Sequence, residues 1–141
     1  MATPMTLKEA KFHKLLDRYR DKREIEPVPC GGLMEYVEQG ILEGDELDDY
    51  LREKLKPFMD SKISSIVLGS THYPFVKNAI EKVVGQDVDI IDGSLGTARE
   101  LMRRLKEKDL LNDSKEKGTI EMINSSNKQE LIDLSWKLIE M

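Results

Sequence analysis

The stretch Ile63 to Pro74, with the sequence ISSIVLGSTHYP, indicates the fold of this chain. Its first part, Ile63 to Gly69, is an apolar run typical of a buried parallel strand. Pro74 stands at a favoured first-turn position of the helix that follows, and Gly85 is expected to close that helix. A second buried strand is predicted for Val88 to Ile91. Together these segments predict a β-α-β unit with parallel strands.

Apolar residues at helical spacing predict further helices on both sides of this unit. An amphipathic helix is expected from Thr6 to Lys22, with Thr6 and Glu9 as a capping box at its start. The other expected elements are an extended run from Ile25 to Val28 before Pro29, a helix from Gly31 to Gln39, a helix from Asp45 to Phe58, a turn from Gly93 to Gly96, a helix from Thr97 to Leu111, a weak strand from Thr119 to Ile123 and a helix from Ser126 to Glu140. The predicted class is α/β with a mostly parallel sheet.

The composition excludes several classes of function. The chain has 141 residues, enough for one compact domain, and a net charge of −5, which argues against a basic nucleic-acid surface. No apolar run approaches the ~20 residues of a membrane span, and the first residues lack the pattern of a signal peptide. Because Cys30 is the single cysteine, no disulfide within the chain is possible. We therefore expect a cytoplasmic protein with no nucleic-acid or membrane partner.

The turn after the first strand has the residues of a binding site. Ser70, Thr71 and His72 place two hydroxyls and an imidazole at the start of a helix. Backbone N–H groups at that point are unpaired and carry partial positive charge, which suits a carboxylate or a phosphate. Parallel sheets bind ligands at the carboxyl ends of their strands. An ordinary helix cap is the alternative, and the turn alone leaves both interpretations open.

Four segments of the chain resemble one known family. GSTHYP, Gly69 to Pro74, differs at one position from the glutamate racemase signature G-C-T-H-Y-P. ATPMT, Ala2 to Thr6, resembles the G-T-x-G-T turn of that family. CGGLMEYVEQG, Cys30 to Gly40, is similar to its C-P-x-x-V-x-x-V-E-x-G, and VDIIDGSLGTARE, Val88 to Glu100, to its segment containing D-x-x-x-x-T-A. In their order and spacing these segments resemble the C-terminal half of a glutamate racemase, in the Asp/Glu racemase family.

The resemblance implies a cofactor-independent isomerase that interconverts L- and D-glutamate without pyridoxal phosphate or a metal. In this family one thiolate removes the α-proton, and a second thiol on the opposite face returns a proton. Each base needs a pKa near the working pH, which a cysteine can reach. The implied role is the supply of D-glutamate for peptidoglycan of the bacterial cell wall. Aspartate racemase relatives share the two-thiol plan, so the amino acid itself rests on the resemblance.

The resemblance also assigns site residues by position. It gives catalytic positions to Ser70, His72 and Glu38, and substrate-binding positions to Thr71, Thr3 and Thr6. Ser70 stands where the second cysteine belongs, and a hydroxyl is a far weaker acid than a thiol. His72 matches the histidine that assists the thiol, and Glu38 the acidic residue near it. A solvated carboxylate at a helix end is the alternative for Glu38, and a buried or turn cysteine is expected at Cys30.

The family pattern further predicts two parts. Residues 1–92 correspond to the second α/β domain of a racemase, and residues 93–141 to a C-terminal tail that packs on the first domain. The first-domain motifs C-N-T, D-S-x-x-G and P-Y-G do not occur in this sequence. Without that domain the apolar side chains of the tail lose partners, so we expect a homodimer or a first-half partner. A non-catalytic binding module and one half of a split racemase remain alternatives, and activity of the chain alone is an open question.

Overall fold

The computed structural model describes residues 1–60 and 63–140. The helices are α1 (Pro4–Lys8), α2 (Ala10–Asp17), α3 (Leu33–Glu38), α4 (Asp45–Leu55), α5 (Lys77–Val84), α6 (Ser94–Glu107) and α7 (Gln129–Ile139). Two 3-10 helices cover Lys56–Phe58 and Tyr73–Val76, and the strands are β1 (Ser65–Val67) and β2 (Asp89–Ile91). The chain divides into two compact units, Met1–Asp92 and Gly93–Met141. That the first is a racemase domain and the second its tail stays a prediction.

The predicted β-α-β unit is confirmed. Strand β1 pairs in parallel with β2, in the register Ser65↔Asp89, Ile66↔Ile90 and Val67↔Ile91, and α5 connects them. The expectation that both strands are buried is wrong for some of their residues. Ile66 is buried, whereas Val67 is 57% exposed and Ile91 is 50% exposed. Alternate side chains of a strand point to opposite faces, so only one face of this small sheet is covered.

Two further extended segments continue the sheet beside β1. Ala2 forms a parallel bridge with Pro29, and the Cys30 N–H donates to the Ala2 carbonyl at 2.9 Å. On the other side, the Gly69 N–H donates to the Met1 carbonyl at 2.8 Å. A Cβ on Gly69 would lie 3.1 Å from the Ala2 Cβ and 3.2 Å from the Met1 oxygen, so the close approach of these two segments favours glycine.

The N-terminal helix differs from the prediction of one helix from Thr6 to Lys22. The backbone of Glu9 is extended, with φ −69° and ψ 135°, and it separates α1 from α2. The cap is Thr3, whose hydroxyl oxygen accepts from the Thr6 N–H at 3.2 Å, so the capping box at Thr6 and Glu9 is wrong. Pro4 explains the earlier start, because proline fits the first helical turn, where no N–H is needed.

The core of the first unit lies between α3, α4, α5 and the covered face of β1. Its fully buried apolar side chains include Leu33, Val37, Leu47, Leu51, Leu55, Tyr73, Val76 and Ile80. One carboxylate shares this core, since Asp48 of α4 is 1% exposed and accepts a hydrogen bond from Lys82 of α5. Arg52 lies 3.9 Å from the same carboxylate oxygen. Opposite charges therefore join the two packed helices at their border.

The second unit contains α6 and α7. Helix α6 begins at Ser94, so Gly96 lies within the helix and the predicted turn from Gly93 to Gly96 is wrong at its second glycine. The weak strand predicted from Thr119 to Ile123 does not form, because none of these residues has a ladder partner in the described chain. Several large apolar side chains are exposed, namely Leu95, Leu101, Met102, Leu110, Leu111, Ile120, Ile123 and Ile139. Over residues 1–60 and 63–140, no helix has the length and apolar character that crossing a membrane requires.

Candidate active site

The predicted site residues follow neighbouring segments of the sheet. Thr3 comes directly after the bridge residue Ala2, and Ser70 comes after β1 and Gly69. Because these segments run in parallel and adjacent ones lie about 4.8 Å apart, the turns that follow them meet at one edge of the sheet. The hydrogen bond from the Gly69 N–H to the Met1 carbonyl holds the two turns together. This edge is therefore the candidate site.

Two threonine hydroxyls form a pair in the first of these turns. The Oγ1 atoms of Thr3 and Thr6 are 2.9 Å apart, and the Thr6 N–H also donates to the Thr3 hydroxyl. Both residues are half-buried. The two side chains are therefore held in one arrangement. One of the two hydroxyl hydrogens forms the bond between them, and the other can donate to an anionic or carbonyl oxygen.

The second turn contains Ser70, Thr71 and His72. The backbone N–H of His72 donates to the Ser70 hydroxyl oxygen at 3.3 Å, and the backbone N–H of Tyr73 donates to the Ser70 carbonyl at 3.4 Å. Ser70 and His72 are half-buried, whereas Thr71 is exposed. The helix predicted to begin near Pro74 starts as a 3-10 helix at Tyr73 and becomes α5 at Lys77. The turn therefore presents an exposed threonine between two half-buried polar residues.

The structure brings Glu38 and His72 together. Glu38 is the last residue of α3, and its Oε1 lies 3.5 Å from the Nε2 of His72. The side chains are 52% and 32% exposed respectively. Solvent therefore reaches the Glu38 carboxylate, as the alternative interpretation requires, yet that carboxylate also faces the imidazole. A carboxylate that faces an imidazole in this way is an arrangement that general acid–base catalysis can use.

Two tyrosines support this region, and the sequence analysis did not identify them. The Tyr73 hydroxyl donates to the Cys30 carbonyl at 3.0 Å, and the Tyr50 hydroxyl donates to the Gly31 carbonyl at 2.9 Å. Burial, reinforced by the neighbouring Cys30, raises the pKa of both phenols, so they stay protonated and can donate. Apolar spacing indicated a buried face at Tyr50 but could not indicate its partner, which follows only from the packing of α4 against the Cys30 loop.

Cys30 is buried, as expected, and its thiol is free. Burial raises the pKa of this thiol, which keeps it protonated and unreactive at neutral pH. Among the residues that the structure describes, no group of three His, Cys, Asp or Glu side chains is arranged to hold a metal ion. The polar groups of the candidate site are therefore hydroxyls, one imidazole and one carboxylate.

Comparison with known proteins finds similar chains among the glutamate racemases. No protein-family model matches the chain. The chain is 54% identical, over all 141 of its residues, to a glutamate racemase of Clostridium perfringens, of which it covers 54%. A glutamate racemase of Clostridium botulinum is 52% identical over 140 residues, 99% of this chain and 54% of that protein. The chain thus spans about half the length of the curated relatives it matches.

Solved structures give the same result for the fold. The glutamate racemase of Francisella tularensis, crystallised in complex with D-glutamate, superimposes with a TM-score of 0.77 at 26% identity, over 98% of this chain and 52% of that one. The glutamate racemase of Escherichia coli, in complex with L-glutamate and an activator, gives a TM-score of 0.76 at 22% identity, over 97% of this chain and 53% of that one. The chain is therefore related along its whole length to the glutamate racemases, in sequence and in fold, and fits their C-terminal half.

Proposed function

We propose that this chain forms one side of a glutamate racemase active site at the sheet edge described above. The observation that carries the proposal is the pairing of His72 with Glu38 at 3.5 Å, beside the turn of Ser70 and Thr71. In the proposal, Ser70, His72 and Glu38 occupy the proton-transfer positions of one face of the substrate. Thr71, Thr3 and Thr6 hold the substrate, with the exposed hydroxyl of Thr71 on its carboxylate.

Inversion at the α-carbon sets the chemical requirement. A proton must leave from one face and another must arrive on the opposite face, so two groups that can each donate and accept a proton are needed. The proposed reaction uses side chains alone, without a cofactor. The Ser70 hydroxyl is a far weaker acid than a thiol, and its oxygen accepts a hydrogen bond from the backbone N–H of His72. In a Ser70→Cys variant the same N–H would favour a thiolate.

Ser70 supports a second candidate function, which is glutamate binding without turnover. The hydroxyls of Thr3, Thr6 and Thr71 and the His72–Glu38 pair do not depend on the identity of residue 70. A non-catalytic binding module, or one half of a split racemase, would keep these groups. The two candidates differ in whether the α-proton of glutamate exchanges.

The proposed cellular setting follows from the family resemblance of the sequence. Glutamate racemases would supply D-glutamate for peptidoglycan in the bacterial cytoplasm, and we propose the same setting here. The exposed apolar side chains of α6, including Leu101 and Met102, support a homodimer or a first-half partner that covers them.

The test is proton NMR in deuterium oxide with L-glutamate and, separately, D-glutamate. The parent chain, Ser70→Cys and the double variant Ser70→Cys, His72→Gln are compared, with shift dispersion as the check on folding. Loss of the α-proton signal with Ser70→Cys, and little loss with the double variant, would support the racemase site. Saturable line broadening of glutamate without exchange in any variant would support the binding module. Well-dispersed spectra with neither effect would contradict both.

A further inference from the structure

The Tyr73 hydroxyl lies between the two segments that carry His72 and Glu38. Tyr73 directly follows His72, and its side chain is fully buried. It donates to the carbonyl of Cys30, 43 residues away in sequence, at 3.0 Å. The same carbonyl accepts from the N–H of Leu33, the first residue of α3, at 3.4 Å. Tyr73 is therefore docked on the first turn of α3.

Helix α3 connects this buried bond to the more exposed contact between His72 and Glu38. Glu38 is the last residue of α3, five positions after Leu33, which is about 8 Å along the axis at ~1.5 Å per residue. The segment of His72 and Tyr73 therefore contacts both ends of α3. Tyr73 bonds to the Cys30 carbonyl beside the start of α3, and His72 faces Glu38 at its end. Two polar contacts at opposite ends of α3 fix the relative orientation of the packed segments more firmly than one contact would.

We propose that Tyr73 is a positioning residue that sets the His72 imidazole against Glu38 through the first turn of α3. The pair itself is partly exposed and 3.5 Å long, and exposed pairs hold their geometry weakly. The bond between the Tyr73 hydroxyl and the Cys30 carbonyl is buried, and a buried hydrogen bond is costly to lose. The placement follows from these contacts alone, whereas its catalytic consequence rests on the proposed function.

Tyr50 provides a matched control for this inference. Its hydroxyl donates to the Gly31 carbonyl, the next carbonyl along the chain, at 2.9 Å. Tyr50 belongs to α4 and is not adjacent in sequence to His72 or Glu38. Replacing either tyrosine by phenylalanine removes one hydrogen bond to the loop of Cys30 and Gly31 and leaves the rest of the side chain in place. Only the Tyr73 variant should disturb the His72–Glu38 pair.

The test reads the imidazole of His72 directly. The chain has two histidines, and the other, His13, is exposed, so a His13→Gln background leaves a single imidazole. In that background Glu38→Gln defines the change in the Nε2 nitrogen-15 resonance when the carboxylate partner is lost. We expect Tyr73→Phe to shift the resonance in the same direction, and Tyr50→Phe to leave it in place. An unchanged His72 resonance in a folded Tyr73→Phe chain would overturn the proposal.

The opposite end of the same coupling provides a second measurement, for the case that Tyr73→Phe does not fold. Coupling between two contacts is reciprocal, so loss of the His72–Glu38 contact should also change the surroundings of Tyr73. Glu38 is exposed, and Glu38→Gln should therefore fold. We expect its Tyr73 ring resonances to shift more than those of Tyr50, and equal or absent shifts would overturn the proposal. Both measurements are made without glutamate, so their outcome does not depend on the proposed function. In a separate titration with D-glutamate, an unchanged His72 resonance would count only against the proposed function.

Discussion

Lys82 of α5 donates a hydrogen bond to Asp48 of α4, whose side chain is 2% exposed within the packed helix pair. This hydrogen bond, first among the causes, and the charge of Asp48 raise the pKa of Lys82. The second carboxylate oxygen of Asp48 has no hydrogen-bond partner among residues 1–60 and 63–140. The stability of a buried carboxylate with one satisfied oxygen depends strongly on the positive charges beside it, here those of Lys82 and Arg52.

Asp48→Asn should therefore lower the free energy of unfolding. The substitution keeps the shape of the side chain but removes the charge that faces Lys82 and Arg52, so we expect a loss of about 1–3 kcal/mol. Asp49→Asn is the matched control, because Asp49 is the next residue of α4 and is exposed, with its ion pair to Arg52 in solvent. Urea unfolding at pH 7 measures both. Equal effects of the two substitutions would show that burial of Asp48 is not what matters.

Glycines at two positions should respond in opposite directions to alanine. At Gly69 a new Cβ would lie 3.1 Å from the Ala2 Cβ and 3.2 Å from a backbone oxygen, so Gly69→Ala should destabilise the first unit by about 1–3 kcal/mol. At Gly96, within α6, a Cβ meets nothing within 4 Å. Gly96→Ala should therefore stabilise that helix by about 0.5–1 kcal/mol. Amide hydrogen exchange in β1 and in α6 separates the two effects, and a stabilising Gly69→Ala would contradict the close approach.

The sequence predicted the elements that depend on local spacing. The apolar face of α4, the helix closed by Gly85 and the two parallel strands are found within a few residues of their predicted ends. The resemblance correctly predicted the relation to glutamate racemases and the approach of Glu38 to His72. The roles of the site residues remain predictions.

Features that depend on tertiary contacts could not be predicted. The break between α1 and α2 at Glu9 could not be predicted, because the apolar residues on both sides of it keep a helical spacing. The half-exposed face of β1 at Val67 depends on what covers the sheet, which the strand itself does not encode. The partner of Tyr73 lies 43 residues away, and no local pattern identifies a hydrogen bond of that separation.

Stability should fall at alkaline pH through Cys30. Burial raises the pKa of its thiol in the folded chain, so the unfolded chain loses this proton first as the pH rises. The stabilisation is complete below the unfolded pKa of about 8.5 and is lost progressively above it. Cys30→Ala should flatten the dependence of the unfolding free energy on pH between about 8.5 and 10, whatever its effect at neutral pH. The unfolding free energy is measured with urea at each pH. If it falls with pH at the same slope in parent and variant, Cys30 is not the source of the lost stability.

The threonine pair should separate stability from ligand binding. Thr3 caps α1 through its hydroxyl, so Thr3→Val should cost about 1 kcal/mol of stability. Thr6→Val loses the contact between the hydroxyls but keeps the cap formed by its own N–H, and should cost less. If both hydroxyls hold substrate, each variant weakens glutamate binding about five-fold, from ~1 kcal/mol per hydrogen bond. Calorimetric titration with D-glutamate measures this, and full affinity in Thr6→Val would remove it from the proposed site.

The exposed apolar residues of α6 should drive self-association of the chain. Leu101 is 60% exposed and Met102 is 59% exposed, on a helix whose charged residues Glu100, Arg103 and Glu107 pair with each other. Burying such side chains in an interface is worth ~25 cal/mol per Å² of apolar surface, whereas the paired charges gain little by association.

The double substitution Leu101→Gln, Met102→Gln should therefore reduce the dimer fraction in light scattering across a concentration series. Met5→Gln is the control, because Met5 is 76% exposed but belongs to α1 in the other unit. A parent chain that stays monomeric at all concentrations would show that these residues do not bind a second copy of the chain. That result would favour a first-half partner instead. Equal loss of association in both variants would mean that general stickiness, rather than α6, holds the copies together.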